Sequence, residues 1–324
     1  MAYGFTFERA LSSPFVAPHF STFPWLFGAA YAACYLAVFG LLALIGARDL
    51  TEWVTALEAL PDTVSPDAAA SLMLDTVLQL LPLVLISGLA AWALWAMFET
   101  ASQRRYIWGQ KFSLGFGADE ARMMVVGLLW GLLGVAVFII PVVIVFGGVF
   151  ALLSEVASGT DPDEIEGRIV ATVFGAFGLM LLVYPLYVFL ATRLAPCFGL
   201  TVKDKRIRFL EAWGVSRGRF WPILGAYVIL AVGGGFAIQM AQGIGQLVLM
   251  PVFMFGVSGP EPTPEQMTAY FTSAGFLIPV AIFMYFFLFL QGVLQHAVGA
   301  PAALAARFDP KGSVEDIDRI AAFT

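Results

Sequence analysis

Amide side chains recur at helical spacing in the most apolar part of the sequence. Gln239, Gln242 and Gln246 are three and four residues apart, which places them on one helix face. Gln291 and Gln295 lie one turn apart in the next apolar segment. Such amides either hydrogen-bond between membrane helices or line a polar cavity that admits a lipid headgroup or a small solute. The sequence leaves both interpretations open.

A carboxylate and another amide lie near the start of an earlier apolar segment. Asp75 and Gln79 are one helical turn apart, and we place them with the glutamines as candidate cavity residues. Charged groups inside a membrane are costly and usually mark ion or substrate pathways. Because Asp75 lies near one interface and Glu99 and Arg193 end their segments at the other, we expect no carboxylate in the middle of the membrane.

Other residue types that could carry chemistry are scattered. The isolated His19 and His296 do not make a metal site, and neither do the separate Cys34 and Cys197. Residues 214–218 match G-x-S-x-G, but no preceding strand and no Asp and His partners accompany the serine. We therefore predict a protein that is not an enzyme, with no catalytic, cofactor-binding or metal-binding residues, no cofactor and no nucleic-acid partner.

The composition is that of a protein dissolved in lipid. Of the 324 residues, 60% are hydrophobic and 12% are charged, against roughly a quarter charged in an ordinary soluble domain. A helix needs about 20 apolar residues to cross the hydrocarbon. Segments of this kind lie at about residues 23–47, 72–98, 123–153, 169–191, 221–255 and 270–298. The sequence therefore predicts an all-α polytopic membrane protein with six transmembrane helices, distorted near Pro141 and residues 233–235.

Basic residues gather on one side of this predicted topology. Of the 17 lysines and arginines, all but Arg48 and Arg168 fall on the side that carries both termini. Basic flanks face the cytoplasm because they are poorly translocated. We therefore expect the N- and C-termini to be cytoplasmic.

The predicted helices repeat as three hairpins. Helices one, three and five begin about 100 residues apart, so a single membrane domain of residues 1–306 divides at about 1–105, 106–205 and 206–306, with a cytoplasmic tail at 307–324. A stretch of aromatic, basic and glycine residues leads into each hairpin. Such stretches favour amphipathic helices that lie in the cytoplasmic interface.

The third of these stretches is the most basic. Its candidate contacts to anionic lipid headgroups are Lys203, Lys205, Arg206, Arg208, Arg217 and Arg219. Each basic residue near an anionic leaflet contributes about 1 kcal/mol to membrane binding. The stretch either fixes the topology alone, or it also docks a lipid headgroup or an acidic partner.

Two segments in and just before this basic stretch resemble segments of known membrane proteins. Residues 193–196 (Arg-Leu-Ala-Pro) and 209–221 (Phe-Leu-Glu-Ala-Trp-Gly-Val-Ser-Arg-Gly-Arg-Phe-Trp) resemble a recurring segment of YciC-like six-helix bacterial membrane proteins. They are also similar to the membrane domain attached to some glycerophosphodiester phosphodiesterases. The resemblance implies a fold type and a location in the bacterial inner membrane, and it implies no residue roles.

Two functions fit these observations. The first is a non-enzymatic protein that organises or accompanies membrane partners or lipids, with anionic lipids and a protein partner or a second copy of the chain as expected contacts. The second is a transporter or channel, with a lipid as one candidate cargo, whose polar cavity lies near helices five and six. A polar lining inside the membrane would favour the second function, and a bundle closed by Phe and Leu would favour the first.

Overall fold

The computed structural model describes residues 5–16, 22–58, 66–157, 162–255 and 263–314. Nearly all of these residues are helical, and no strand is found among them. The helices are α1 (Phe7–Val16), α2 (Phe23–Glu58), α3 (Pro66–Trp108), α4 (Ala118–Ala157), α5 (Pro162–Leu194), α6 (Cys197–Asp204), α7 (Ala212–Val215), α8 (Phe220–Tyr227), α9 (Gly234–Phe255), α10 (Pro264–Phe271) and α11 (Ala274–Arg307). A π-helical segment, Val228–Gly233, joins α8 to α9.

Six helical spans among the described residues are long and apolar enough to cross a membrane. They belong to α2, α3, α4, α5 with α6, the continuous run α8 to α9, and α11, and their most apolar windows have a mean hydropathy of 1.8 to 2.8. Large apolar side chains such as Leu44 and Leu182 are each 76% exposed along these spans. Exposure of this kind suits lipid, which is as apolar as leucine. The prediction of an all-α polytopic membrane protein is confirmed.

Helix α11 is the centre of the packing. It contacts α2, α3 and α9, while α4 packs against α3 and α5. The two helices of each predicted hairpin are thus in contact. Glycine allows the closest of these approaches, because a Cβ at Gly28 would lie 2.8 Å from the Phe289 carbonyl oxygen and a Cβ at Gly292 would lie 2.8 Å from Tyr31 Cβ.

The end of the bundle that carries α1, α6 and α7 holds most of the buried residues, and we refer to it as the basic end. The short helix α6 is buried there against α3, α4 and α11. Leu200 of α6 belongs to a core with Ile107 of α3, Ile223 of α8 and Ala306 of α11. Helix α6 therefore closes the basic end of the bundle from inside.

The three lead-in stretches take different forms. Helix α1 packs against α8 and α11, whereas residues 112–117 form no helix and the part of the third stretch that follows α6 contains only the four-residue α7. Glycine accounts for the interruptions, since Gly109 and Gly218 have φ angles of +66° and +77°, a region that L side chains disfavour. Only the first lead-in is a helix of more than one turn.

The distortion expected in the fifth membrane helix ends at the first of its three consecutive glycines. The π-helical turn covers Val228–Gly233, and regular helix resumes at Gly234. Helix α4, by contrast, continues through Pro141. Single π-helical turns inside α-helices often mark functional sites, and this one lines the cavity described next.

Candidate functional site

A cavity of about 650 Å³ lies inside the bundle towards its basic end. Its walls come from α3, α4, α5, α8, the π-helical segment and α11, and α6 contributes Phe198 to its floor. Seven of the 23 described lining residues are aromatic. The aromatic residues are Trp92, Trp95, Trp130, Tyr184, Tyr187, Phe198 and Tyr227.

The polar part of the cavity is a cluster of one carboxyl group and two amides, Glu99, Gln103 and Gln295. Glu99 is 7% exposed and Gln103 is fully buried, and Gln103 Nε2 donates a hydrogen bond of 2.7 Å to Glu99 Oε1. Gln295 lies beside the same carboxyl group. Gln103 Oε1 and Gln295 Nε2 are buried without a hydrogen-bond partner among the described residues. Because buried polar groups are normally satisfied, two unpaired atoms beside a cavity indicate a ligand or water position.

The charge around this cluster is unbalanced. Among the described residues that line the cavity, none is a lysine, arginine or histidine. Of the nearest basic residues in sequence, Arg104 is paired elsewhere, and Arg105 is buried outside the cavity with its Nη2 atom unpartnered among the described residues. Arg104 forms ion pairs of 2.9 Å with Asp119 and 2.8 Å with Glu120, and Arg105 hydrogen-bonds the Gly109 carbonyl oxygen.

Glycines of the neighbouring helices shape the cavity. A Cβ at Gly127 would lie 2.4 Å from the Trp95 ring and 3.1 Å from Trp92 Nε1, so this glycine lets both indoles pack on α4. A Cβ at Gly299 would lie 3.7 Å from Glu99 Oε1. Gly131 also lines the cavity, but a Cβ there would meet no atom within 4 Å. The empty space of the cavity therefore begins at Gly131.

One side of the cavity is open. Helix α5 packs along α4 and contacts α7 and α8 at the basic end, but no comparable contact joins α5 to α9 among the described residues. Tyr184 and Tyr187 on α5 and Val228 and Val232 on the π-helical segment form the opposing walls of this gap. Tyr184, Val228 and Val232 are all exposed, so these walls lie at the outer surface of the bundle.

A second polar cluster lies next to the first but away from the cavity. Ser102 Oγ is 2.7 Å from His296 Nδ1, and Tyr106 Oη is 3.1 Å from His296 Nε2 and donates to the His296 carbonyl oxygen at 3.0 Å. Phe23 and Phe27 pack on the imidazole ring. A serine beside a histidine can be a nucleophile beside its base, but both residues are buried and neither lines the cavity. This cluster joins α3 to α11.

The predicted glutamine sites are mostly dispersed. Gln239 and Gln246 are exposed on α9, Gln242 and Gln291 are half-buried, and none of these four lines the cavity. Gln295 alone of the predicted cavity residues lies in it.

Asp75 and Gln79 are exposed on α3, in its half remote from Glu99. The sequence interpretation placed Glu99 at an interface, and the cavity was missed because of that. A usable signal was present, since Trp92, Trp95, Glu99 and Gln103 recur at helical spacing on one face.

The candidate headgroup contacts divide into paired and exposed residues. Lys203 is buried and binds Asp309 at 2.9 Å and the Gly312 carbonyl oxygen at 2.9 Å. Arg208 forms ion pairs with Asp204 at 3.1 Å and Glu211 at 3.0 Å. The exposed members of the set are Lys205, Arg206 and Arg217.

Two residues at the basic end, Glu211 and Arg219, have shifted pKa values. The pKa of Glu211 is lowered, first by a hydrogen bond from its own backbone N–H and then by Arg208. Burial lowers the pKa of Arg219, and the nearby Asp309 carboxylate partly opposes that shift. The Arg219 guanidinium donates to the Ala305 carbonyl oxygen and lies over the Phe5 ring. It therefore links α11 to the segment immediately before α1.

The fold and the cavity define a polytopic all-α membrane protein with a ligand-sized space between its helices. Comparison with known proteins adds no closer relationship: no protein-family model, no curated protein and no solved structure matches the chain. The cavity and the residues around it are therefore the features from which the function is inferred.

Proposed function

We propose that this chain is a non-enzymatic membrane protein that binds an amphiphilic molecule from the surrounding lipid. The cavity near Glu99 is the observation that carries the proposal. Its volume of about 650 Å³ falls in the usual range for small-molecule sites, about 300 to 1,000 Å³. An apolar wall with a few convergent polar groups is also typical of such sites.

The shape of the cavity supports a lipid-like occupant over a water-soluble one. Helix α6 and its core close the basic end of the bundle, while the gap beside α5 faces the lipid. An amphiphile can enter through this gap with its polar group directed at Glu99 and its chain left among the aromatic rings. Of the two functions that fit the sequence, a lipid-handling protein therefore agrees better with the structure than a closed organising bundle.

We further propose that the basic end faces the cytoplasm of a bacterial cell, with the protein in the inner membrane. The concentration of arginine and lysine at that end supports this orientation. The cavity then lies in the cytoplasmic half of the bilayer. Lys205, Arg206 and Arg217 are exposed there and would contact anionic headgroups of the inner leaflet.

Filling the cavity tests the proposal. Gly131→Leu adds a large side chain to a residue that lines the cavity, and no neighbouring atom lies within 4 Å of the added Cβ to resist it. Gly178→Leu is the matched control, since Gly178 is exposed on α5, has no neighbour within 4 Å and lies outside the cavity. Each variant is extracted gently and its intact mass is recorded with bound lipids.

We expect the wild-type protein and Gly178→Leu to retain a defined amphiphile, and Gly131→Leu to lose most of it. Equal retention by all three proteins would contradict the proposal. A stoichiometric second subunit in the same spectra, with no bound amphiphile, would instead support the organising function.

A further inference from the structure

We infer that the amphiphile bound in this cavity carries a positively charged nitrogen, as an amine or ammonium group placed against Glu99. The inference rests on the proposed function and specifies its ligand class. Three features of the cavity support it: a carboxyl group without a counter-ion, an aromatic wall, and the absence of any basic group among the described lining residues.

The first feature is the state of Glu99. An ionised carboxylate that is removed from water needs a cation close by, because hydrogen bonds alone offset only part of its lost hydration. Gln103 supplies one hydrogen bond and Gln295 lies beside Glu99 as a second amide donor, but neither amide is charged and no ion pair involves Glu99 among the described residues. Gln103 Oε1, a second acceptor beside it, has no donor. A carboxyl group without a counter-ion and an adjacent acceptor without a donor match a group that carries N–H bonds and a positive charge.

The second feature is the aromatic wall. Indole and phenol rings attract cations to their faces, and cages of such rings are a recurrent way of binding organic ammonium groups. Trp92 and Trp95 are on the same face of α3 as Glu99, and they lie within about 10 Å of it along the helix axis at 1.5 Å per residue. Trp130 and Tyr227 face the same space from α4 and α8. The cavity that contains Glu99 is thus lined by rings of the kind that bind organic cations.

The third feature, the absence of basic groups among the described lining residues, disfavours a negatively charged headgroup. A phosphate or carboxylate headgroup would lie beside Glu99 in a medium of low dielectric constant, where like charges repel strongly. Its usual partners are missing, since Arg104 binds Asp119 and Glu120, and Arg105 lies against Phe23. The cavity therefore discriminates against anionic lipids, although the protein surface nearby is basic.

Two brominated probes with the same chain separate charge from hydrophobicity. Bromododecyldimethylamine is protonated at pH 8 and then carries one positive charge and one N–H bond, whereas bromododecyldimethylamine oxide has no net charge at that pH. Bromine quenches tryptophan fluorescence at short range, and Trp92, Trp95 and Trp130 line the cavity. The protein is placed in nanodiscs of uncharged lipid, and Gly131→Leu measures the quenching by probe that is merely dissolved in the lipid.

For the wild-type protein we expect the Gly131-dependent quenching to occur at a concentration about tenfold lower for the cation than for the amine oxide, as expected for one charged hydrogen bond or ion pair. Glu99→Gln should remove this preference. Glu211→Gln is the matched control, because Glu211 is an exposed carboxylate at the same end, and it should keep the preference. The comparison of the two probes on the wild-type protein requires no variant at Glu99 to fold.

The outcomes separate the two proposals. Equal affinity for both probes, abolished by Gly131→Leu, would overturn the charge inference while leaving an amphiphile-binding cavity. A preference that persists in Glu99→Gln would also overturn it, because the cation would then be recognised elsewhere. Quenching that is identical in wild type and Gly131→Leu for both probes would remove the cavity function itself.

Discussion

The two halves of the bundle are stabilised in different ways. At the basic end, α6 is enclosed by three helices, and hydrogen bonds and ion pairs link segments distant in sequence, such as Lys203 to Asp309. In the opposite half, large side chains including Leu182 face outward, and few residues are buried. Protein packing therefore specifies the structure at the basic end, whereas lipid supplies most of the surroundings in the other half.

This difference shows where sequence changes should matter. Lipid accepts any apolar side chain, so the remote half should tolerate substitutions that preserve hydrophobicity. At the basic end, buried charges and closely packed side chains fit together in only one arrangement, so substitutions there should be destabilising. Three substitutions test this contrast, beginning with the largest expected effect.

Removing the buried ion pair should cost the most. In Lys203→Ala the Asp309 carboxylate loses its partner in a site where the lysine side chain is only 2% exposed. Breaking a buried pair on one side typically destabilises a protein by about 3 to 5 kcal/mol. Thermal unfolding of the detergent-purified protein, followed by loss of the monodisperse peak, measures the change.

Lys205→Ala is the control for that experiment, since Lys205 is exposed two residues away, and its unfolding temperature should stay at the wild-type value. The double variant Lys203→Ala with Asp309→Asn should recover part of the loss. Equal stability of Lys203→Ala and Lys205→Ala would contradict the packing of α6.

Truncating the same side chain in each half compares the two environments directly. Leu200→Ala empties a site in α6 that is 2% exposed, and we expect a loss of about 3 kcal/mol. Leu182→Ala removes a leucine that faces lipid, and its effect should be below about 0.5 kcal/mol. Chemical unfolding of both variants in the same micelle gives the difference, and equal losses would show that the contrast between the halves is wrong.

The smallest expected effect tests the buried polar cluster. Tyr106→Phe deletes the hydroxyl that contacts His296 Nε2 and the His296 carbonyl oxygen, and it should cost about 1 kcal/mol. Tyr184→Phe on the lipid side of the cavity is the control and should leave the unfolding free energy unchanged. A larger loss in the control than in Tyr106→Phe would place the stabilising polar contacts elsewhere.

The membrane character of the fold could be predicted from the sequence because it depends on local composition. Twenty consecutive apolar residues require a membrane whatever they contact, so the spans were recognisable without any tertiary information. The helical distortion near residues 233–235 was predictable for the same reason, since three successive glycines weaken a helix locally.

The candidate site depends on contacts that local composition does not contain. Glu99 precedes two arginines in sequence and was therefore placed at the interface, but in the fold Arg104 is drawn to Asp119 and Glu120 and leaves the carboxyl group unpaired. Lys203 was predicted as a headgroup contact, whereas the structure buries it against Asp309, 106 residues later. Long-range pairs of this kind cannot be derived from the spacing of residues along one helix.

The link between Lys203 and the segment after α11 also bears on how the protein is made. The two closest partners of the lysine, Asp309 and the Gly312 carbonyl oxygen, are synthesised after the last membrane helix. Until these residues have been synthesised, the Lys203 side chain lacks both contacts and α6 is not covered by α11. Helix α6, which contributes Phe198 to the floor of the cavity, is therefore packed late during biosynthesis. A nascent or truncated chain should leave α6 incompletely packed and susceptible to membrane proteases that degrade incomplete proteins.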